Sequence, residues 1–174
     1  MKRLVVFGLI GLFLGTAYLG ELTAQAPNKA DMPKFIATAK DTKKNSKDRV
    51  TAIKNIARLG RLKASYAKDA VAPLIMLVKK EEDNKVRAEA AVTLGAIDPE
   101  DKEAVTTLID VLKDEKTDSA VRAACATGLG SMGAKSKEAL PLLRQVAKMA
   151  KKKDKKLGKA TKGALKNIQA QLKK

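Results

Sequence analysis

Gly128, Gly130 and Gly133 fall at the G-x-G-x-x-G spacing with which a backbone cradles phosphates, and Lys135-Ser136 follow closely. Such a loop needs a strand before it and a helix straight after it. The register derived below instead puts Leu129-Gly130 at the end of a helix, and Ala134 sets Lys135-Ser136 out of phase. Nucleotide binding is therefore not expected. Asp98, Glu100 and Asp101 offer three carboxylates to a hard cation, but spacing alone does not make three oxygens converge. These acids, like Glu81-Glu82-Asp83 and Asp114-Glu115, sit where turns are expected, and their reading is helix capping beside the positive end of the helix dipole. Cys125 is the one cysteine. It lies on an apolar stripe and reads as a small buried residue, because a reactive thiolate needs exposure near positive charge. The chain has no His, the commonest general base and metal ligand. No catalytic residue, metal-ligand set or cofactor is assigned.

The elements that hold these residues repeat. Leu59-Gly60, Leu94-Gly95 and Leu129-Gly130 recur every 35 residues, as do Asp48, Asp83 and Asp118, and a fourth copy with Asp154 and Leu165 comes one residue late. A constant period of this length means units that bury their apolar faces only by stacking on one another. Each unit reads as two helices. In the second, an Asp is placed as N-cap. A stripe at i, i+4, i+5 and i+8 follows, Val86, Ala90, Ala91 and Leu94 in one copy and Val121, Cys125, Ala126 and Leu129 in the next. The Gly after each Leu is read as a left-handed C-cap. First helices are expected over Ala70–Lys80, Glu103–Lys113 and Glu138–Lys148, with Pro73 and Pro141 in opening turns that tolerate them. No segment alternates with period two long enough to suggest a strand.

Ala70-Val-Ala-Pro-Leu-Ile with Val86-Arg-Ala-Glu-Ala-Ala-Val-Thr-Leu-Gly95, and again Val121-Arg-Ala-Ala-Cys-Ala-Thr-Gly-Leu-Gly130, resembles HEAT repeats of the short bacterial, PBS-lyase-type kind. The resemblance covers roughly 31–172 and is most specific over 70–147. It implies an all-α fold, an α-solenoid of about four HEAT-like helix pairs, used for protein binding. The outer copies depart from the pattern: Thr51-Ala52 stand in place of Val-Arg, and no Gly follows Leu165. In such solenoids the second helices line the inner face, which makes Lys54, Arg58, Glu89, Thr93 and Ala124 the candidate partner-binding residues. Arg87 and Arg122, at one equivalent position, are implied to be braces between repeats. A weaker implication is a chromophore-lyase-like accessory protein, against which the buried reading of Cys125 weighs.

Residues 1–26 belong to a different pattern. Lys2-Arg3 precede an apolar run from Leu4 to Leu19, and Ala24-Gln25-Ala26 supply small residues for a signal peptidase. Cleavage is expected after Ala26, giving a secreted or periplasmic protein. The competing reading is an uncleaved anchor, since the run falls a little short of a span. The remaining regions are a first-helix cap over 27–47, repeats over 48–147 and a Lys-rich capping helix region over 148–174. One cysteine forms no internal disulfide, so helix packing must supply the stability.

The whole chain carries 36 Lys and Arg against 19 Asp and Glu, a net charge of +17. Lys148 to Lys174 hold eleven Lys and one acid, Asp154. Lys151, Lys152, Lys153, Lys155, Lys156, Lys159, Lys162 and Lys166 are thus the candidate polyanion-binding residues, for an acidic protein, anionic lipid headgroups or cell-surface polysaccharide. A simpler reading is a solvated face over the last repeat. Export removes the chain from cytoplasmic nucleic acid, and beyond residue 26 only Phe35 and Tyr66 could stack on bases. The leading expectation is an exported, non-catalytic scaffold or adaptor that binds another protein. The alternative is a polyanion or membrane-surface binder.

Overall fold

A computed structural model describes residues 27–97 and 101–174, apart from the side chains at 151–153. Among these residues there are eight α-helices and no strand. They pair as α1 (Met32–Lys40) with α2 (Ser46–Leu62), α3 (Val71–Lys80) with α4 (Asn84–Ala96), α5 (Lys102–Lys113) with α6 (Ser119–Met132), and α7 (Leu140–Lys153) with α8 (Lys155–Leu172). The four second helices, α2, α4, α6 and α8, pack on one another in sequence, and each first helix covers its own partner. The all-α solenoid of four pairs is thus the observed architecture. The core runs as one continuous cluster through all four pairs, with Ile53, Ile56, Leu74, Leu94, Leu108, Leu129, Leu143 and Ile168 fully buried.

Side-chain caps start each second helix. Asn45 accepts from the Asp48 N–H, Asp83 from Lys85 and Val86, Asp118 from Ala120 and Val121, and Asp154 from Leu157. Each satisfies an orphan donor of the first turn. The first of these corrects the repeat register. Asp48 is not the cap of α2; it sits in the first turn, and α2 is 17 residues long against 13 for α4. The cap stands three residues earlier, nearly one turn of 3.6, so Leu59 and Gly60 keep their inward direction.

The glycine reading also needs correction. Gly60, Gly95 and Gly130 lie inside α2, α4 and α6, not at left-handed caps. Gly95 and Gly130 are places where successive second helices nearly touch. A Cβ on Gly95 would lie 2.3 Å from the Gly128 carbonyl oxygen, one on Gly128 2.5 Å from that of Ala91, and one on Gly130 2.8 Å from the Ala164 Cα. Among the described glycines only Gly133 has positive φ, at 58°, where α6 ends. It opens the 3-10 segment Gly133–Ala139 that leads into α7.

Three arginines fasten the outer layer to the inner one. Arg49, Arg87 and Arg122 each stand four residues after a cap, and each Nε–H donates to a carbonyl in or near the last turn of the first helix of its own pair: Ala39 (3.0 Å), Val78 (2.8 Å) and Leu112 (3.0 Å). Arg87 and Arg122 therefore brace the two helices within a repeat, and the Arg87 charge also reaches Asp114 in the turn of the next repeat, in the direction the family resemblance implies. In the corrected register Arg49 is the first copy's equivalent, so the brace is present where Thr51-Ala52 suggested its loss.

Candidate functional site

The inner layer carries a groove of about 600 Å³ running across all four second helices. Its floor is built from short apolar side chains: Val50 of α2, Ala88 and Val92 of α4, Ala123 and Ala124 of α6, and Ala160 of α8. Lys47, Lys85 and Lys156 stand along one edge, each two residues after its cap, with Ser46 and Asn84 beside them. Glu89 is the one carboxylate among the lining residues.

The glycine contacts explain where the groove opens. They draw α4 against α6, and α6 against α8, in the C-terminal parts of these helices. Apart from Val92 and Thr127, which lie next to those contacts, the lining residues fall in the N-terminal halves of their helices. The groove is open because its floor is mostly Ala, whose short side chains leave the space unfilled, and its edge is basic because the second residue of α2, α4 and α8 is Lys.

The N-termini on that edge are tied from one repeat to the next. The Ser46 hydroxyl donates to Asp83, and the Ser119 hydroxyl donates to Asp154, so each of these carboxylates caps its helix and holds the preceding one. The Ser46 hydroxyl is the foremost reason why the Asp83 carboxyl is held below its ordinary value of 3.8. Glu81, in the turn before Asp83, pairs with Arg49 across the first junction through both guanidinium Nη atoms, and both side chains are buried. Burial alone would raise the Glu81 pKa. The hydrogen bond from Arg49, the Asp83 N–H and the guanidinium charge outweigh it and hold Glu81 below 4.5.

Of the five candidate partner-binding residues, Glu89 and Ala124 line the groove. Lys54 and Arg58 are exposed on α2, beyond its edge. Thr93 is a correction: it is 1% exposed and offers nothing to a partner. It stands ten residues after its cap, the position Gly128 and Ala164 hold in α6 and α8, where the preceding second helix comes closest. The small residues at those equivalents are the signal by which the sequence marks an interface. Its hydroxyl and that of Thr107 are buried without a partner among the described residues. Val50, Ala88 and Ala123, which form much of the floor, are missed by the sequence-based set. Ala88 and Ala123 each sit one position before a residue chosen from the repeat pattern, Glu89 and Ala124.

Cys125 is fully buried, and desolvation pushes its thiol up to about 12. Gly128 and Gly130 sit within α6, so the glycine spacing forms no phosphate loop. Asp98 and Glu100 lie outside the described residues; Asp101 caps α5 through the Glu103 N–H. Among the described residues no three His, Cys, Asp or Glu side chains gather to hold a metal. Lys155, Lys156, Lys159, Lys162 and Lys166 are exposed on α8, while the side chains of Lys151, Lys152 and Lys153 lie outside the described residues. Ala26 and the signal-like segment 1–26 also lie outside them, and no described helix is long and apolar enough to cross a membrane.

The family model for HEAT repeats matches residues 32–117 and, overlapping, residues 71–157. Among solved structures, human deoxyhypusine hydroxylase in complex with glycerol is similar, with a TM-score of 0.63 and 21% identity, over 83% of this chain and 46% of that one. The chain spans less than half of that protein's length, and at this identity the likeness is one of fold. No curated protein sequence matches the chain.

Proposed function

The chain belongs to the HEAT-repeat family, and on that premise we propose that it is an exported, non-catalytic scaffold that holds a segment of another protein in the groove of its second helices. The observation that carries the reading is the groove itself, a continuous apolar floor contributed by four repeats. Small side chains that serve only the core need no opening; here Val50, Ala88, Val92 and Ala160 are only partly buried along a basic edge. Apolar patches rimmed by polar residues are the usual mark of an interaction site. A non-catalytic role is supported by the lack of His in the whole chain, and the lining hydroxyl that meets a carboxylate, that of Ser46, is held by the α4 cap Asp83. Export is supported by the charged start, apolar run and small residues of 1–26. A chromophore-carrying role finds no support in the buried, high-pKa thiol of Cys125.

The reading is tested by affinity capture from an envelope extract, washed first at low and then at high salt, with the native chain and the variant Ala88→Arg. The variant fills the floor of the groove, whereas Met76→Arg changes a residue of α3 that is 54% exposed. The proposal expects a protein that survives the high-salt wash on the native chain and on Met76→Arg, and is lost on Ala88→Arg. Retention by all three at high salt would refute groove binding.

A further inference from the structure

We propose that the solvent face of α8 is a second binding site, separate from the groove, for a linear anionic polysaccharide. Helix α8 buries Leu157, Gly158, Thr161, Ala164 and Ile168 against the body of the protein. On the opposite side Lys155, Lys159, Lys162 and Lys166 are all exposed. Their spacing of four, three and four residues places them within about 60° of one another around the helix axis. Lys173 returns to the same direction just past the end of α8, so the row is about 27 Å long at about 1.5 Å per residue.

No acid interrupts the row. From residue 154 to the end of the chain the sole acidic side chain is Asp154, and it is occupied by the Leu157 N–H and the Ser119 hydroxyl. None of the four lysines forms an ion pair among the described residues. Lysines at i, i+3 and i+4 repel one another, so an ordinary solvated face would mix the signs. Helix α5 does so, with Lys102, Glu103, Asp110 and Lys113. A single-sign row is stabilised when a chain of negative charges lies along it.

The surroundings favour a polysaccharide over other polyanions. The apolar side of α8 is buried, so the helix has no face to insert into a bilayer, as an interfacial helix must. The aromatic residues Phe35 and Tyr66 belong to the first pair and the segment after it, so bases of a single strand would find no stacking partner near α8. The row contains Lys and no Arg. It therefore offers separate point charges to anionic groups spaced along a chain, and no fork for bidentate recognition of a single carboxylate or phosphate.

The test measures binding of a sulfated, heparin-type oligosaccharide to the full chain over a range of salt. In the variant carrying Lys155→Gln, Lys159→Gln, Lys162→Gln and Lys166→Gln, affinity at about 0.15 M salt should fall at least about ten-fold, and the slope of log affinity against log salt should drop by about 3. A control with Lys43→Gln, Lys68→Gln, Lys113→Gln and Lys116→Gln removes the same charge from scattered exposed positions. By the same counterion argument it should change affinity less than about three-fold. Gln keeps the helix, so the first variant should melt no lower than the native chain. An equal loss in the control would show that net charge alone binds and would overturn the proposal. So would tighter binding, with the same dependence on the four lysines, to short duplex DNA or to phosphatidylglycerol vesicles. Loss of groove binding in Ala88→Arg leaves this site untouched, so the two claims fail separately.

Discussion

At Gly95 a Cβ would lie 2.3 Å from backbone oxygen, whereas nothing stands within 4 Å of one at Gly163. One substitution therefore has opposite signs at two positions. Gly163→Ala should stabilise the protein by about 0.5–1 kcal/mol through helix propensity. Gly95→Ala should destabilise it by about 1–3 kcal/mol, because α4 and α6 must move apart to admit the methyl group. Urea unfolding of both variants checks the pair. Arg49 gives a second residue-level test. Arg49→Met leaves Glu81 buried without its partner and should cost about 3–5 kcal/mol. The carboxylates near it also set a pH dependence. Glu81 and Asp83 are held below 4.5 and 3.8 in the folded protein. Their contribution is fully present above those ordinary values and is lost as the pH falls through the lower folded ones. The urea midpoint should thus drop between about pH 4.5 and pH 2, and the drop should be smaller in Arg49→Met. The brace at Arg87 and Arg122 is legible in sequence from their shared position. Arg49 is not, because α2 starts three residues early and hides the match.

Among the elements, the caps decide where each second helix begins. Asp83 accepts two backbone N–H groups of α4 and the Ser46 hydroxyl of α2. Asp83→Ala should cost about 1–2 kcal/mol, and Asp83→Asn, which retains an acceptor oxygen, should cost less; thermal melting at neutral pH distinguishes them. Helix identity is legible throughout because the apolar stripes have a clear helical period. Boundaries are weaker where two local signals coincide. Helix α7 runs to Lys153, beyond the expected Lys148, since Lys is a good helix former and the stop comes only with the Asp154 cap. Leu-Gly at the end of an apolar stripe fits both a C-cap and a close helix contact. Only the neighbouring helix, about one repeat away in sequence, separates the two, and no local pattern contains it. Thr93 is misread for the same reason, as its burial is decided by the approach of another repeat.

In the molecule as a whole, four pairs stacked in sequence place their second-helix N-termini along one edge, and the groove follows that edge. A solenoid of this kind distributes its stability over neighbouring contacts. Its ends can then differ in chemistry without altering the middle, and the C-terminal pair carries a dense share of the positive charge, with eleven Lys from Lys148 onward. The fold and the side of the solenoid bearing the groove are readable from the repeat and the family resemblance. The floor is not, since the identity of a lining position depends on how closely adjacent helices approach, and the glycines fix that. Site-specific photo-crosslinking decides whether the groove holds a protein, in cells that produce the chain with the probe placed at Val92 in the groove or at Met76 on α3. Groove binding predicts a discrete adduct with another protein from Val92 and none from Met76. No adduct from Val92, or the same adduct from both positions, would contradict it.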